Sequence, residues 1–168
     1  EKIISYPISI ISLLLFLLTI VIFHPIQWIC FNLFGYQAHK KSVDYLNFIL
    51  LRIAHLLGIT FKIENRELIP KGVPIIFVAN HQSMYDIIGI IWFLRRFHPK
   101  FVSKKELGSG SPSISYNLNH GGSVLIDRND PKKAIIEIKN LSEYIEKTKR
   151  SAVIFPEGTR TRNGKPRE

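Results

Sequence analysis

The feature that most constrains this chain is a long apolar segment at its amino-terminal end. No Lys, Arg, Asp or Glu occurs from Ile3 to Ala38, and Ile8 to Phe23 is almost continuously Ile, Leu, Val and Phe. A membrane span needs about 20 apolar residues, which this segment supplies. A buried core helix of this length would need a larger protein around it, and a cleaved signal peptide would be shorter and followed by small residues. The segment therefore predicts a membrane-embedded helix.

Pro25 interrupts this segment, so one helix is expected to end near His24 and a second to begin at Ile26. A single full span and a half-inserted helical hairpin both fit the pattern. Lys40 and Lys41 follow the segment, and the positive-inside rule then predicts that the rest of the chain lies on the cytoplasmic face. If the source is bacterial, the membrane is the cell inner membrane.

The next stretch predicts an amphipathic helix, because apolar residues recur at helical spacing from Val43 to Leu57 and Gly58 follows. This helix either packs on the following domain or lies in the membrane interface. His39 is expected to be an interfacial or solvated side chain. The chain is accordingly divided into a membrane-embedded segment, an amphipathic interfacial helix and a domain, at residues 1–40, 41–58 and 59–168.

Beyond Gly58, short apolar runs alternate with helical patterns. Strands are predicted at 74–79, 101–103, 123–126 and 152–155, with a further short β-branched run at 59–63. Helices are predicted at 83–96 and 130–149, with a short helix or loop at 111–119. This alternation predicts an α/β domain with a largely parallel sheet flanked by helices. The run 74–79 is apolar throughout, which predicts a strand buried on both faces.

His81 and Asp86 follow the first of these strands. Their spacing would put them on different faces of a helix, so they can meet only if His81 lies in the turn and Asp86 in the first helical turn. Ser83 suits the N-cap position, which supports that geometry. Ser83 and Asp86 also form a capping-box variant, so capping is an alternative role for Asp86. Capping leaves His81 unexplained at the exposed end of a strand.

Two later strands also end in polar residues. Asp127 and Arg128 follow the strand 123–126, and the loop from Pro156 to Arg160 follows the strand 152–155. Arginine can bind phosphate with a bidentate fork, and nearby backbone amides add donors. Ligands of parallel sheets bind beyond the carboxyl ends of the strands. The sequence therefore directs attention to these strand ends.

Composition restricts the function less sharply. The net charge is +10 beside 46% hydrophobic residues, and sixteen of the 23 Lys and Arg residues lie after Leu94. Nucleic acid, a membrane surface and a phosphorylated substrate all fit this charge. The one cysteine, Cys30, excludes an internal disulfide and a cysteine-based zinc site. The chain begins at Glu1 and stops in a polar run, so a fragment is expected.

Three segments of the chain resemble the motif blocks of the 1-acylglycerol-3-phosphate (lysophosphatidate) acyltransferase family. Asn80-His81-Gln82-Ser83-Met84-Tyr85-Asp86 is similar to the first block, a His-x4-Asp motif. The segments 122–128 and 155–160 are similar to the second and third blocks, and the resemblance runs from roughly Gly58 to Arg162. The family's fourth block is absent, so the acyltransferase domain at 59–168 is expected to lack its C-terminal part.

The resemblance implies an enzyme that transfers an acyl group from acyl-CoA or acyl carrier protein to the free hydroxyl of lysophosphatidate. The product would be phosphatidate for phospholipid synthesis. His81 would act as the base, and Asp86 would orient it. Substrate binding is assigned to Arg128, Glu157, Gly158, Thr159 and Arg160. The two arginines would hold the acceptor's phosphate, and the glutamate would organise its glycerol end. The resemblance implies no metal ion, no resident cofactor and no nucleic acid, with membrane lipids and the two substrates as partners.

Two other functions remain open at this point. A related acyltransferase could act on glycerol-3-phosphate, another lysophospholipid or a lipid-A-like acceptor with largely the same motifs. A non-enzymatic, basic, membrane-anchored module that binds lipid would need the positive charge. Such a module would have no need of His81, Asp86 and Glu157 at strand ends.

Overall fold

The computed structural model describes the backbone of residues 2–160 and the side chains of residues 6–160. The helices are α1 (Lys2–Leu56), α2 (Met84–Phe93), α3 (Ile114–His120) and α4 (Pro131–Thr148). The strands are β1 (Ile76–Val78), β2 (Pro99–Lys104), β3 (Val124–Ile126) and β4 (Ser151–Ile154). Short 3-10 turns lie at Arg66–Leu68, Arg95–Phe97 and Lys105–Gly108.

The first helix, α1, is a helical hairpin with a break at Gly35. This residue has φ 75° and ψ −171°, a conformation that glycine adopts far more readily than residues with a Cβ. The break divides α1 into a first arm (2–34) and a second arm (36–56). Ile20 of the first arm is buried in one apolar cluster with Leu50 of the second, so the two arms pack against each other.

The helix break predicted at Pro25 is wrong, because Pro25 lies inside the first arm. Proline removes one helical hydrogen bond, and the packing between the arms stabilises the helix across that position. The two arms fold back on each other, and how far this hairpin enters a membrane stays a prediction. By length and composition, 6–56 is also the part of the described chain that is apolar enough to cross a membrane.

The predicted amphipathic helix forms the carboxyl-terminal part of the second arm. Its apolar positions Val43, Leu46 and Ile53 are buried. Gly58 ends the helix with φ 77°, and its N–H donates to the carbonyl of His55. The backbone does not change at residue 40, so the boundary between 1–40 and 41–58 stays a prediction about membrane contact.

All four strands form one parallel sheet in the order β1-β4-β2-β3. The register pairs Val78 with Ile154, Phe101 with Val153, and Val102 with Val124. Helix α2 packs between the hairpin and the sheet, with Ile88 buried against the hairpin and Ile91 against the strands. The predicted α/β fold, with a largely parallel sheet flanked by helices and a long apolar helix at the N-terminus, is confirmed.

The prediction that the strand at 74–79 is buried on both faces is wrong. Ile76 and Val78 are 59% and 65% exposed, because β1 is an edge strand with one face uncovered in the described chain. The run 59–63 is not a strand. Phe61 within it packs against Phe93 at a ring-centroid distance of 5.9 Å.

Candidate active site

The catalytic residues predicted from the sequence lie where β1 and β4 end side by side. The pairing of these strands continues past their ends, since the Ala79 N–H donates to the Ile154 carbonyl over 3.1 Å. The chain leaving β1 toward His81 therefore runs beside the chain leaving β4 at Phe155. The rings of His81 and Phe155 stack, with centroids 4.4 Å apart and planes inclined by 27°.

Helix α2 begins with a capping box that positions Asp86. Ser83 is the N-cap, and its hydroxyl accepts from the Tyr85 N–H over 3.2 Å. Asp86 is the third helical residue, and its Oδ2 accepts from the N–H groups of Gln82 and Ser83, each over 2.8 Å. The same oxygen lies 3.1 Å from Nδ1 of His81. Capping and contact with the histidine are therefore simultaneous roles of Asp86, and the geometry inferred from the spacing is observed.

The contact with Asp86 fixes the tautomer of the neutral His81 ring. A carboxylate oxygen can only accept, so Nδ1 carries the hydrogen and donates it. In the neutral ring this leaves a lone pair on Nε2. The side chains of His81 and Asp86 are 18% and 30% exposed, so solvent reaches the pair. The pair therefore presents a basic nitrogen held in one orientation.

Arg128 joins the segment after β3 to the loop after β4. Its Nη2 donates to the carbonyl of Gly158. Gly158 has φ 63°, and a Cβ at this position would lie 3.1 Å from the Arg128 guanidinium. Glycine therefore allows both the turn of the loop and the close approach of the arginine.

Glu157 projects from the same loop with both carboxylate oxygens buried. Within residues 6–160 neither oxygen has a hydrogen-bond partner. An unsatisfied buried neutral group costs about 1–3 kcal/mol of stability, and a buried carboxylate without donors costs more. Within the described residues the loop thus presents two buried acceptors without donors.

The remaining predicted site residues make fewer contacts within the described chain. Thr159 is half-buried and Arg160 is exposed, and Arg160 makes no hydrogen bond or ion pair within residues 6–160. The strand that precedes Arg128 is separated from β4 by β2, which ends at the exposed Lys104. The structure brings Arg128 to Gly158 and His81 to Asp86, and it records no contact between Arg128 and Arg160.

Phe155 is a site residue that the sequence analysis did not single out. It supports one face of the His81 ring, and its other neighbours include Phe101, whose ring centroid is 6.4 Å away. The available signal was an aromatic side chain directly after a buried strand and directly before the polar loop. That signal does not show that Phe155 contacts His81, because the contact depends on the pairing of β1 with β4.

Comparisons with known proteins show which family the chain resembles. A family model described as acyltransferase matches residues 60–168. The chain is 40% identical over 92 residues to the 1-acyl-sn-glycerol-3-phosphate acyltransferase of Helicobacter pylori, covering 53% of this chain and 36% of that protein. It is 28% identical over 124 residues to human 1-acyl-sn-glycerol-3-phosphate acyltransferase alpha, covering 74% of this chain and 43% of that protein.

A solved structure is similar over nearly the whole chain. The crystal structure of the 1-acyl-sn-glycerophosphate acyltransferase PlsC from Thermotoga maritima matches with a TM-score of 0.74 and 25% identity. The match covers 99% of this chain and 66% of that one. The chain spans less than half the length of the two curated relatives above. The match of the family model to the whole α/β domain confirms the resemblance of the motifs, and the chain belongs to the acyltransferase family.

Proposed function

We propose that this chain carries the catalytic site of a 1-acylglycerol-3-phosphate O-acyltransferase. The observation that carries the proposal is the hydrogen bond between His81 Nδ1 and Asp86 Oδ2, which leaves Nε2 as a proton acceptor on a ring stacked against Phe155. The curated relatives in Helicobacter pylori and human are named for this activity. The reaction forms phosphatidate from lysophosphatidate and an acyl thioester.

The base role follows from the chemistry of the acceptor. An alcohol is a weak nucleophile until a base takes its proton, and histidine titrates near neutral pH. Nε2 of His81 accepts the hydroxyl proton while the acceptor oxygen attacks the thioester carbonyl. The C–S bond then breaks, and the leaving thiolate takes the proton from the imidazolium. Asp86 holds the ring and stabilises its transient positive charge.

Phosphate binding is proposed for the arginines that follow β3 and β4. Arg128 already reaches the loop after β4 through the Gly158 carbonyl, and Arg160 is exposed at the end of that loop. Bidentate, charge-assisted hydrogen bonds suit the dianionic phosphate of the acceptor. Glu157 is proposed to accept from a glycerol hydroxyl, and the loop around Gly158 and Thr159 to contact the same group.

The donor is proposed to be acyl-CoA or acyl carrier protein, with no resident cofactor or metal ion. A thioester is already activated toward attack by an alkoxide, so the base and the two substrates supply the chemistry of the transfer.

Membrane association is proposed through the hairpin. Its exposed apolar side chains include Ile10, Leu14, Leu18, Val21 and Ile22, each about half exposed. Apolar helix surface of this extent is stabilised by a bilayer. The positive charges of Lys40 and Lys41 favour the cytoplasmic face for the catalytic domain. A membrane-embedded site also suits substrates and products that stay in the bilayer.

The experiment is an acyl-transfer assay of the purified protein in mixed micelles. The acceptors are lysophosphatidate, glycerol-3-phosphate, lysophosphatidylcholine and monoacylglycerol, each with acyl-CoA and with acyl carrier protein. We expect the highest kcat/KM for lysophosphatidate and no transfer by His81→Ala. A higher kcat/KM for another acceptor would contradict the acceptor assignment. Binding to anionic vesicles without transfer to any acceptor would favour the lipid-binding module.

A further inference from the structure

A second group of polar side chains lies at the amino-terminal ends of β2 and β4, beside the tip of the hairpin and away from the strand ends that precede His81. Lys100 is the second residue of β2, and Arg150 directly precedes β4. Tyr36 and Lys40, just after the break at Gly35, face them from the second arm. Strand β2 rises about 3.3 Å per residue, so its length separates this edge from the edge that carries His81.

Lys100 is the central cation of this group. It is only 6% exposed, and it makes no ion pair or side-chain hydrogen bond within residues 6–160. Its Nζ lies 5.0 Å from the centroid of the Tyr36 ring, and the Arg150 guanidinium carbon lies 3.6 Å from the same centroid. Burying a charged lysine without an anion is costly, so an anion that reached this position would stabilise the charged form of Lys100.

Acidic residues of the described chain supply only part of the compensating negative charge. Asp44 is the one carboxylate among the cavity-lining residues, and it is already paired with Lys40. Lys40, Lys100 and Arg150 are thus three cations beside one carboxylate. Burial, reinforced by the charges of Arg150 and Lys40, lowers the pKa of Lys100 to about 7, which reflects the same shortage of negative charge.

His39 provides an independent sign that a ligand is expected here. The sequence analysis took it as interfacial or solvated, but it is 1% exposed, enclosed by the hairpin and α3. Within residues 6–160 neither ring nitrogen has a hydrogen-bond partner. An unsatisfied buried polar group costs about 1–3 kcal/mol, so such groups are rarely left without a partner.

His39 and Lys100 line the same partly open cavity, which has a volume of about 30 Å³. Lys40 and Asn117 line it as well, so the walls are rich in groups that donate hydrogen bonds. This volume admits a water or one or two oxygens of a larger group whose remainder lies at the mouth. Donors and positive charge together select an anion with several oxygens.

We propose that this cavity binds a phosphate group, as a second anion site separate from the catalytic pair, and that its natural source is the headgroup of an anionic lipid. The lipid source is favoured by the surroundings, because Leu33 and Phe34 at the tip of the hairpin are 68% and 70% exposed. Cations next to exposed apolar residues suit a membrane surface. The site does not depend on the proposed acyl transfer.

The test measures binding of inorganic phosphate to the full chain in detergent micelles by titration calorimetry. Ionic strength is kept constant with chloride. Removing one partner of a desolvated charge pair costs about 2–5 kcal/mol, so Lys100→Met should raise Kd roughly 30-fold or more. Lys62→Met is the matched control, because its side chain is 85% exposed and pairs with Glu64 outside the cavity. Its Kd should equal that of the wild type.

Phosphate could also bind at the proposed acceptor site, and Arg160→Ala separates the two. The cavity predicts that Arg160→Ala retains the binding that Lys100→Met loses. If Lys100→Met does not fold, Arg150→Gln is the second variant and should weaken the same binding. Equal Kd values in wild type, Lys100→Met and Arg150→Gln would overturn the site, as would the absence of phosphate binding in the wild type.

The lipid source is tested in nanodiscs. Phosphatidylglycerol in the bilayer should compete with inorganic phosphate and raise its apparent Kd, relative to phosphatidylcholine alone. Competition in the wild type and in Arg160→Ala would support a headgroup in the cavity. Phosphate binding that is unchanged by phosphatidylglycerol would overturn the headgroup assignment.

Discussion

The Asp86→Asn substitution separates the charge of Asp86 from its geometry. One oxygen, Oδ2, accepts from the Gln82 and Ser83 N–H groups and from His81 Nδ1. In Asp86→Asn the two backbone donors should hold the amide oxygen in that place, since an NH₂ group would face two N–H groups. His81 then keeps its tautomer, and only the negative charge is lost.

The expected magnitude follows from that geometry. Hydrogen bonds to charged groups contribute about 1.5–3 kcal/mol and neutral ones about 0.5–1.5, so the loss is roughly 1–2 kcal/mol. Each 1.36 kcal/mol is tenfold in rate, which predicts that kcat falls about 5- to 30-fold. This is far less than the roughly 10⁴-fold that a wrong tautomer costs in a Ser-His-Asp triad. Partial exposure of the pair keeps the effect at this modest size.

Two further substitutions complete the experiment. Asp86→Ala removes all three bonds, so kcat should fall about 10²–10⁴-fold and the cap should cost about 0.5–2 kcal/mol of stability. Ser83→Ala is the matched control, because it removes the bond to the Tyr85 N–H and leaves the N–H that binds Asp86. It should lower Tm by a few degrees with nearly unchanged turnover.

The assay is single-turnover acyl transfer to lysophosphatidate, with Tm measured on the same micellar samples. If Asp86→Asn lost as much rate as Asp86→Ala, the inference that His81 keeps its tautomer in Asp86→Asn would be refuted. Full activity in Asp86→Ala would refute the orienting role and leave only the cap.

Three further predictions concern the acceptor's phosphate, the buried lysine and a close turn. Arg160→Ala should lower kcat/KM for lysophosphatidate far more than for monoacylglycerol, and Arg160→Lys should restore only part of it because lysine lacks the bidentate fork; an equal loss on both acceptors would reassign the phosphate to Arg128 and Lys104. Lys100 has a pKa of about 7 in the folded chain against 10.5 in the unfolded chain, so the unfolded chain binds more protons between these values and stability rises with pH there. The Tm of the wild type minus that of Lys100→Met, measured in phosphate-free buffer, should therefore increase from about pH 7 to about pH 9. A difference that does not change with pH would contradict this prediction. Gly122→Ala should destabilise the fold, because Gly122 has φ 87° and its Cβ would lie 2.4 Å from the Tyr144 hydroxyl oxygen and 2.8 Å from ring carbons. An unchanged Tm would contradict this prediction.

Local chemistry made part of this site predictable from the sequence. The alternation of apolar runs and helices predicted the parallel sheet, because short strands without polar alternation are typical of βαβ units. The capping residues Ser83 and Asp86 predicted where α2 begins. With that start fixed, His81 could reach Asp86, and the observed hydrogen bond is the result.

Tertiary packing decided what the sequence analysis missed. The hairpin turns at Gly35 because its arms pack through Ile20 and Leu50, and a proline in one arm is tolerated within that packing. His39 and Lys100 are buried because the second arm covers the amino edge of the sheet, which no local pattern indicates. Arg128 reaches Gly158 because of the order of the strands in the sheet. The sequence does not fix that order, because a helical crossover can connect a strand to more than one position in a parallel sheet.

The central claim is that His81 is the base of the acyl transfer, and His81→Ala tests it most directly. The matched control is His55→Ala, because His55 is exposed and bonds only to the Ile59 carbonyl within residues 6–160. The measurement is the single-turnover rate of acyl transfer to lysophosphatidate, with Tm and membrane association recorded for each variant. We expect His81→Ala to lose at least about 10²–10⁴-fold in rate with fold and membrane association retained, and His55→Ala to keep the wild-type rate. A folded His81→Ala variant with near-normal turnover would contradict the account.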